Sequence, residues 1–183
     1  MQDLRIDNNQ IDLLDELNGN IFTIIWDINA FYFNTPNTTY KLECIDEKPV
    51  GSEYKYDEIF YCKFFKLEEK IEFEVGNPKY WYKVIDKKAM IESIRIIDII
   101  QEFPKDELLN KEEEALNRNG INKLTIGLIV KTEKGWIPAF LLPSNHGFSW
   151  QEKYAYYEKE EIELLVKQEL RKYKIKIVHT QSI

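Results

Sequence analysis

The side chains of this chain that could support acid–base chemistry are few, because the sequence has only two histidines. His146 lies in a polar loop between Asn145 and Gly147, close in sequence to Ser144 and Ser149. A neutral imidazole beside a hydroxyl can act as a general base for a serine nucleophile. Nothing in the sequence orients the ring, so an exposed or backbone-bonded loop histidine is the competing interpretation.

Asp27 is a second candidate for chemistry, because it interrupts the apolar stretch Ile21–Phe33 two residues before Asn29. If this stretch is buried on both faces, the carboxylate needs a partner, and burial shifts its pKa. It would then be a candidate general acid, general base or metal ligand. The competing interpretation is that Asp27 lies on a solvated face or at a bulge.

Aromatic side chains and acids lie together just before the last predicted helix. Tyr and Trp bind well at protein interfaces because they give a large contact area at a low entropic cost. The candidate binding residues are Trp150, Tyr154, Tyr156, Tyr157, Glu158 and Glu161. The alternative is that the aromatic residues of this group seal the last helix onto the core.

Most motifs that carry cofactor or metal chemistry are absent from the sequence. It has no glycine-rich phosphate loop and no cysteine pair at zinc spacing, so we expect neither a cofactor nor a metal site. Cys44 and Cys62 alternate with apolar residues on predicted strands and are interpreted as small buried hydrophobic residues. They could be neighbours across a sheet, although the sequence does not place them within bridging distance.

The net charge of −7 is concentrated at one end of the chain. Residues 1–50 contain nine acidic residues and three basic ones. Binding to nucleic acid or to an anionic membrane needs a basic surface, so we expect neither. A basic protein partner is more plausible, and the alternative is that the charge only keeps the protein soluble.

Aromatic residues between 54 and 86 predict a β-meander, because aromatic side chains suit a pleated, half-buried surface. The predicted strands are Ile21–Phe33 (one bent strand or a pair), Thr39–Ile45, Ile59–Leu67, Lys70–Val75, Tyr80–Ile85, Leu124–Lys131, Trp136–Leu142 and Ile175–Val178. The predicted helices cover residues 8–17, 87–103, 106–118 and 157–172.

The 87–103 helix is the predicted centre of the fold, since isoleucines nearly encircle it and Asp86 can cap it. We therefore expect an α+β fold: a mainly antiparallel sheet with about four helices, the 87–103 helix packed centrally on it. Residues 1–183 are expected to form a single domain, and the best internal boundary lies near residues 103–107.

The absence of a signal peptide and of a long apolar span favours a cytoplasmic protein. The leading functional hypothesis is a small acidic binding or inhibitory protein, for example an immunity-type protein that neutralises a basic partner. Two alternatives remain open. One is a small hydrolase-like enzyme that uses the His146 loop, and the other is a structural or oligomerising domain.

Overall fold

The computed structural model describes residues 2–27, 29–47, 59–73, 82–100, 114, 117–142, 147–149, 156–170 and 177–182. Its strands are β1 (Gln2–Leu4), β2 (Ile21–Trp26), β3 (Ala30–Asn34), β4 (Thr39–Glu47), β5 (Ile59–Lys66), β6 (Lys83–Ile100), β7 (Ile121–Thr132), β8 (Gly135–Leu142), β9 (Gly147–Ser149) and β10 (Ile177–Ser182). Its helices are α1 (Asn8–Asp15) and α2 (Lys159–Leu170).

All ten strands belong to one sheet in the order β5-β4-β3-β2-β6-β7-β8-β9. Neighbours along this path are antiparallel, β10 joins β6 antiparallel, and β1 joins β7 parallel. The sheet curls until β5 comes close to β7 and β8, which gives a nearly closed, barrel-like form. Curling turns one face of the sheet inward, where it can bury apolar side chains.

The predicted helix over residues 87–103 is wrong, because residues 87–100 belong to the 18-residue strand β6. On one edge β6 pairs first with β2 and then with β10, and its other edge pairs with β7. Ala89 and Ile91 are buried while Met90 and Glu92 are exposed, which is the period of two expected of a strand.

The isoleucine run resembled a helix because β6 changes its surroundings along its length. A register shift near Ser93 places Ile91 and Ile94 in the same core, and residues 96–99 are buried on both faces. Strands covered on both faces give continuous apolar runs, which periodicity cannot distinguish from a buried helix. Isoleucine is β-branched, and β-branched residues favour strands over helices, in agreement with the strand β6.

The predicted α+β class with about four helices is therefore wrong, because the described part of the chain is mostly β. Within it, α1 and α2 are the helices with complete bounds, and Glu114, Asn117 and Arg118 are also helical. The predicted helix over residues 106–118 otherwise lies outside the described residues. Among the described helices, none combines the length and the apolar character needed to cross a bilayer.

The other described elements agree better with the sequence. Helix 8–17, the β2–β3 pair, the strands Thr39–Ile45, Leu124–Lys131 and Trp136–Leu142, and the last helix are confirmed within a few residues. The predicted return strand Lys70–Val75 is wrong over residues 70–73, because these residues do not belong to a strand. Ile71 and Phe73 still face the protein and Glu72 faces solvent, as their alternation predicted.

The main core lies inside the barrel and is closed at one end by α1. Phe22, Phe33, Leu42, Phe64 and Ile94 meet there, and Leu14 and Leu17 of the α1 segment add to the same cluster. A second cluster lies beneath α2, where Ile162 and Val166 cover residues of β6 and β7. Burial of side chains of this size stabilises the fold by roughly 1.5–3 kcal/mol each.

Candidate functional site

Helix α1 has a capping residue at its start and a glycine turn after its end. The Asp7 carboxylate accepts a hydrogen bond from the Gln10 backbone N–H at 2.9 Å, which caps the helix. After the helix, Gly19 adopts a left-handed backbone with φ of +73°, and the chain turns directly into β2. The end of α1 is thereby held beside the first residues of β2.

Gln10 also fixes α1 against the edge of the sheet. Its side-chain oxygen accepts a hydrogen bond from the Phe64 backbone N–H of β5 at 2.9 Å. An unpaired N–H on an edge strand invites pairing with another chain, so this contact both docks the helix and covers the edge.

Three polar side chains meet where α1 ends. Glu16 Oε2 accepts hydrogen bonds from the Tyr40 hydroxyl at 2.6 Å and from Lys66 Nζ at 2.7 Å. The Lys66 ammonium also lies 5.4 Å from the centre of the Tyr40 ring. Tyr40 in turn stacks on Phe64, with 6.0 Å between ring centres. Tyr40 therefore connects the Glu16 carboxylate to the hydrophobic core.

The charges of this trio affect one another. The hydrogen bond from Lys66, followed by that from Tyr40, holds the pKa of Glu16 below its usual value. Burial, followed by the hydrogen bond to Glu16, raises the pKa of Tyr40. The hydrogen bond to Glu16 raises the pKa of Lys66. At neutral pH the site therefore contains one carboxylate, one ammonium and one neutral phenol.

A pocket of about 280 Å³ opens beside this trio. It is lined by Glu16, Asn20, Ile21, Phe22, Thr35, Asn37, Thr38 and Tyr40. Its far wall is the β3–β4 turn, where the Thr35 hydroxyl accepts hydrogen bonds from the N–H groups of Asn37 at 3.2 Å and Thr38 at 2.9 Å. Glu16 thus contributes a carboxylate to the lining, Thr35, Asn37 and Thr38 contribute hydroxyl and amide groups, and Ile21 and Phe22 contribute apolar surface.

The rim of the pocket exposes apolar surface. Ile21, which lines the pocket, is 59% exposed. Lys and Arg combine an apolar stem with a charged head, and such a side chain matches an apolar rim leading to a carboxylate.

Acidic residues collect at the unfavourable end of α1. Asp12, Asp15 and the C-cap Glu16 are exposed, and the last turn of the helix has no basic residue. The negative end of the helix dipole disfavours anions there. In α2 the arrangement is the reverse, with Glu160 and Glu161 in the first turn. The α2 acids therefore have a structural explanation, and so has Glu16 through Tyr40 and Lys66, whereas Asp12 and Asp15 oppose their own helix.

The structure shows where several of the predicted site residues lie. His146, Ser144, Trp150 and Tyr154 lie outside the described residues. Ser149 ends β9 with its Cα opposite Phe140, and its side chain lies outside the described part as well. The convergence of the His146 loop with Asp27 therefore stays a prediction.

Asp27 lies in the β2–β3 turn and organises it. Its Oδ1 accepts hydrogen bonds from the backbone N–H groups of Asn29 at 2.7 Å and Ala30 at 2.8 Å, and its Oδ2 accepts one from the Tyr32 hydroxyl at 3.0 Å. These bonds are typical of a turn-forming aspartate. They account for a carboxylate within an apolar stretch without a catalytic role.

Tyr156 and Tyr157 join the segment before α2 to the barrel. Tyr157 is 6% exposed, and its N–H and C=O both bond to Trp136 at 3.0 Å. The Tyr156 hydroxyl donates to Asp86, which also accepts Lys134 Nζ at 2.7 Å. Both tyrosines thus have contacts that hold the fold together.

Glu158 and Glu161 belong to the start of α2. Glu158 is exposed, and its backbone N–H donates to Glu161 Oε2 at 3.0 Å. A glutamate that reaches back in this way is one half of a capping box. Glu161 therefore stabilises the beginning of its helix.

Two features of the described structure are absent from the sequence predictions. Asp98 is 7% exposed and accepts a hydrogen bond from the Thr125 hydroxyl at 2.6 Å, and its Cα lies opposite that of His179 in β10. The trio of Glu16, Tyr40 and Lys66 joins residues far apart in sequence. The three acids at the end of helix 8–17 were the one local signal that could have indicated it.

Within the described residues, no group of three histidine, cysteine, aspartate or glutamate side chains is placed to hold a metal ion. Comparison of the chain with protein-family models, with curated proteins and with solved structures found no match.

Proposed function

We propose that this protein binds a basic protein partner and acts as an inhibitory, immunity-type protein in the cytoplasm. The observation that carries the proposal is the set of three carboxylates at the C-terminal end of α1, beside the 280 Å³ pocket. Asp12 and Asp15 are disfavoured at the negative end of the helix that carries them, and residues that lower stability are often retained for function. The proposed docking surface consists of Asp12, Asp15, Glu16 and the pocket residues.

The pocket suits one lysine or arginine side chain of the partner. The stem would lie along Ile21 and the charged head would reach Glu16, with the hydroxyls and amides of the β3–β4 turn as further acceptors. Lys66 already occupies one position on Glu16, at 2.7 Å, so it imitates the proposed ligand within the chain.

The experiment is an NMR titration of the ¹⁵N-labelled full chain with short lysine- and arginine-containing peptides. Peptides with glutamine in place of the basic residue serve as controls. We expect saturable shifts at residues 12–21 and 35–40, weakening as salt is added, because exposed charges are screened. Shifts that are equal for the glutamine peptides, or that centre on the first turn of α2, would contradict the proposal.

Two variants with the same change in net charge locate the surface. Asp12→Asn/Asp15→Asn/Glu16→Gln removes the acids of the proposed surface and is expected to abolish binding of the basic peptide. Glu158→Gln/Glu160→Gln/Glu161→Gln removes the same charge at α2 and is expected to leave binding intact. The reverse result would move the surface to α2.

A further variant tests the role of Lys66. Lys66→Met frees Glu16 from its internal partner and is expected to tighten binding of the basic peptide. Lys70→Met is the control, since it removes the same charge from a lysine that pairs with the exposed Glu72 at 2.6 Å and not with Glu16. Equal effects of the two changes would show that net charge alone, rather than Glu16, determines binding.

A further inference from the structure

Cys44 and Cys62 are direct neighbours across the β4–β5 pair, with opposed Cα atoms. Both are free thiols. Cys62 is fully buried in the main core, and Cys44 is partly buried and packs against the same cluster. Since directly opposed residues of an antiparallel pair point to the same face, the two thiols share the inner face of the sheet.

The hydrogen-bond directions show which kind of pair this is. The Cys44 N–H donates to the Asn29 carbonyl at 2.8 Å, on the β3 side, and so points away from β5. The Phe64 N–H donates to Gln10, away from β4, and Cys62, two residues earlier, has the same orientation. Cys44 and Cys62 therefore form a non-hydrogen-bonded pair, in which Cα atoms are about 4.5 Å apart and side chains are closest.

That spacing lies within the range of about 4.4–6.8 Å between Cα atoms that a disulfide spans. We propose that Cys44 and Cys62 form a redox modification site, in which a small disulfide such as oxidised glutathione converts the two thiols into a cross-strand disulfide.

The reaction is two successive thiol–disulfide exchanges. The Cys44 thiolate attacks one sulfur of oxidised glutathione, forming a mixed disulfide and releasing one glutathione thiolate. The Cys62 thiolate then attacks Cys44 Sγ, forming the Cys44–Cys62 bond and releasing the second glutathione thiolate. The chain loses two protons and two electrons, and oxidised glutathione is reduced to two glutathione molecules.

Exposure sets the order of these steps, and burial sets their rate. Cys44 reacts first because Cys62 is fully buried. Burial raises the pKa of Cys44 to about 11, so only a small fraction is thiolate at neutral pH. Oxidation is therefore slow at neutral pH and becomes faster as the pH rises.

The disulfide would tie β5, the strand that supports α1, to its neighbour. Gln10 bonds to Phe64, and Glu16 bonds to Lys66, so two contacts of α1 are made to this one strand. In a reducing compartment the pair would remain as two thiols, and an oxidising challenge would fix β5 against β4.

The test is to equilibrate the full chain with reduced and oxidised glutathione, natively and in urea, and then to quench with acid. Mass spectrometry after alkylation measures the fraction with an internal disulfide. We expect the native chain to form the bond at a more reducing glutathione ratio than the unfolded chain, with loss of both alkylatable thiols. An equal or more oxidising requirement in the native state would overturn the proposal, because the native pairing would then not favour the bond.

A variant tests the route. Cys62→Ser keeps Cys44 and lacks the resolving thiol, so it should stop at the mixed disulfide with glutathione. In the wild-type chain this species should be transient. Accumulation of the mixed disulfide in the native wild-type chain would overturn the proposal, because Cys62 would then be unable to reach Cys44.

Discussion

Gly135 and Tyr156 approach each other so closely that only glycine fits the turn between β7 and β8. A Cβ atom built on Gly135 would lie 2.9 Å from the Tyr156 Cβ and 3.1 Å from the Tyr157 carbonyl oxygen. The glycine also has a φ of +135°, which side chains rarely allow. The segment leading to α2 therefore packs directly against the tip of this hairpin.

We predict that Gly135→Ala weakens the packing of Tyr156 and Tyr157 against the hairpin. The clash and the positive φ together should lower the free energy of unfolding by about 1–3 kcal/mol. Hydrogen exchange of the Trp136 and Tyr157 amides, which pair at 3.0 Å, should accelerate more than the loss of global stability explains.

Gly120→Ala is the matched control for that change. Gly120 has a φ of +67°, but an added Cβ would meet nothing within 4 Å. This variant should suffer only the backbone strain, roughly 1–2 kcal/mol, and leave the relative exchange of Trp136 and Tyr157 unchanged. Equal local effects of the two variants would show that the contact with Tyr156 does not matter.

Asp86 should make the protein sensitive to acid. Although burial raises the pKa of Asp86, hydrogen bonds from Lys134, Tyr156 and the Lys88 N–H outweigh it and hold the pKa below its ordinary 3.8. A depressed pKa stabilises the fold above the unfolded value, and this stabilisation is lost as the pH falls through the folded value. Asp86→Asn should therefore be less stable than wild type at neutral pH.

Urea denaturation at a series of pH values measures this difference. The gap in unfolding free energy between wild type and Asp86→Asn should be complete well above pH 3.8 and shrink below it. A gap that stays constant, or that widens in acid, would show that the hydrogen bonds to Asp86 do not favour its charged form.

Individual residues show how far the sequence could predict this fold. Alternation in Thr39–Ile45 predicted β4, and the patterns of Leu124–Lys131 and Trp136–Leu142 predicted β7 and β8, because these signals are local. The isoleucines of β6 led to a wrong helix prediction because residues 96–99 of this strand are buried on both faces. The pairing of Cys44 with Cys62 depends on strand register, which the surrounding sheet sets.

The candidate site was harder to predict than the fold for the same reason. Its acids at the end of α1 are visible in the sequence, but Tyr40 and Lys66 reach Glu16 only when the sheet curls beneath the helix. Asp27 looked chemically interesting because the sequence does not show that Asn29, Ala30 and Tyr32 donate hydrogen bonds to it.

Thr125 should be essential to the buried polar contact in β7. Its hydroxyl donates to Asp98 at 2.6 Å and accepts the Ile6 N–H at 2.9 Å. Thr125→Val keeps the shape of the side chain, but it removes the hydroxyl that donates to Asp98 and accepts from the Ile6 N–H. The free energy of unfolding should therefore fall by about 1–3 kcal/mol. Thr125→Ser keeps the hydroxyl and should recover most of this loss. If serine is destabilising and valine is not, packing of the methyl group rather than the hydroxyl is responsible.

Gln10 should protect the exposed edge of β5. In Gln10→Leu the Phe64 N–H loses its acceptor, so its hydrogen exchange should become faster. Gln10→Glu keeps an acceptor oxygen and should keep the protection. Unchanged exchange at Phe64 in Gln10→Leu would show that the hydrogen bond to Gln10 does not protect this N–H.

Under the proposed function, Asp12 and Asp15 at the end of α1 are retained for binding at the expense of stability. Asp12→Asn/Asp15→Asn removes two charges from the negative end of the helix dipole, so each change should raise stability by about 0.3–1 kcal/mol. The most direct test measures urea denaturation and binding of a lysine-containing peptide on this one variant. We expect higher stability together with weaker binding. Lower stability, or unchanged binding of the peptide, would contradict it.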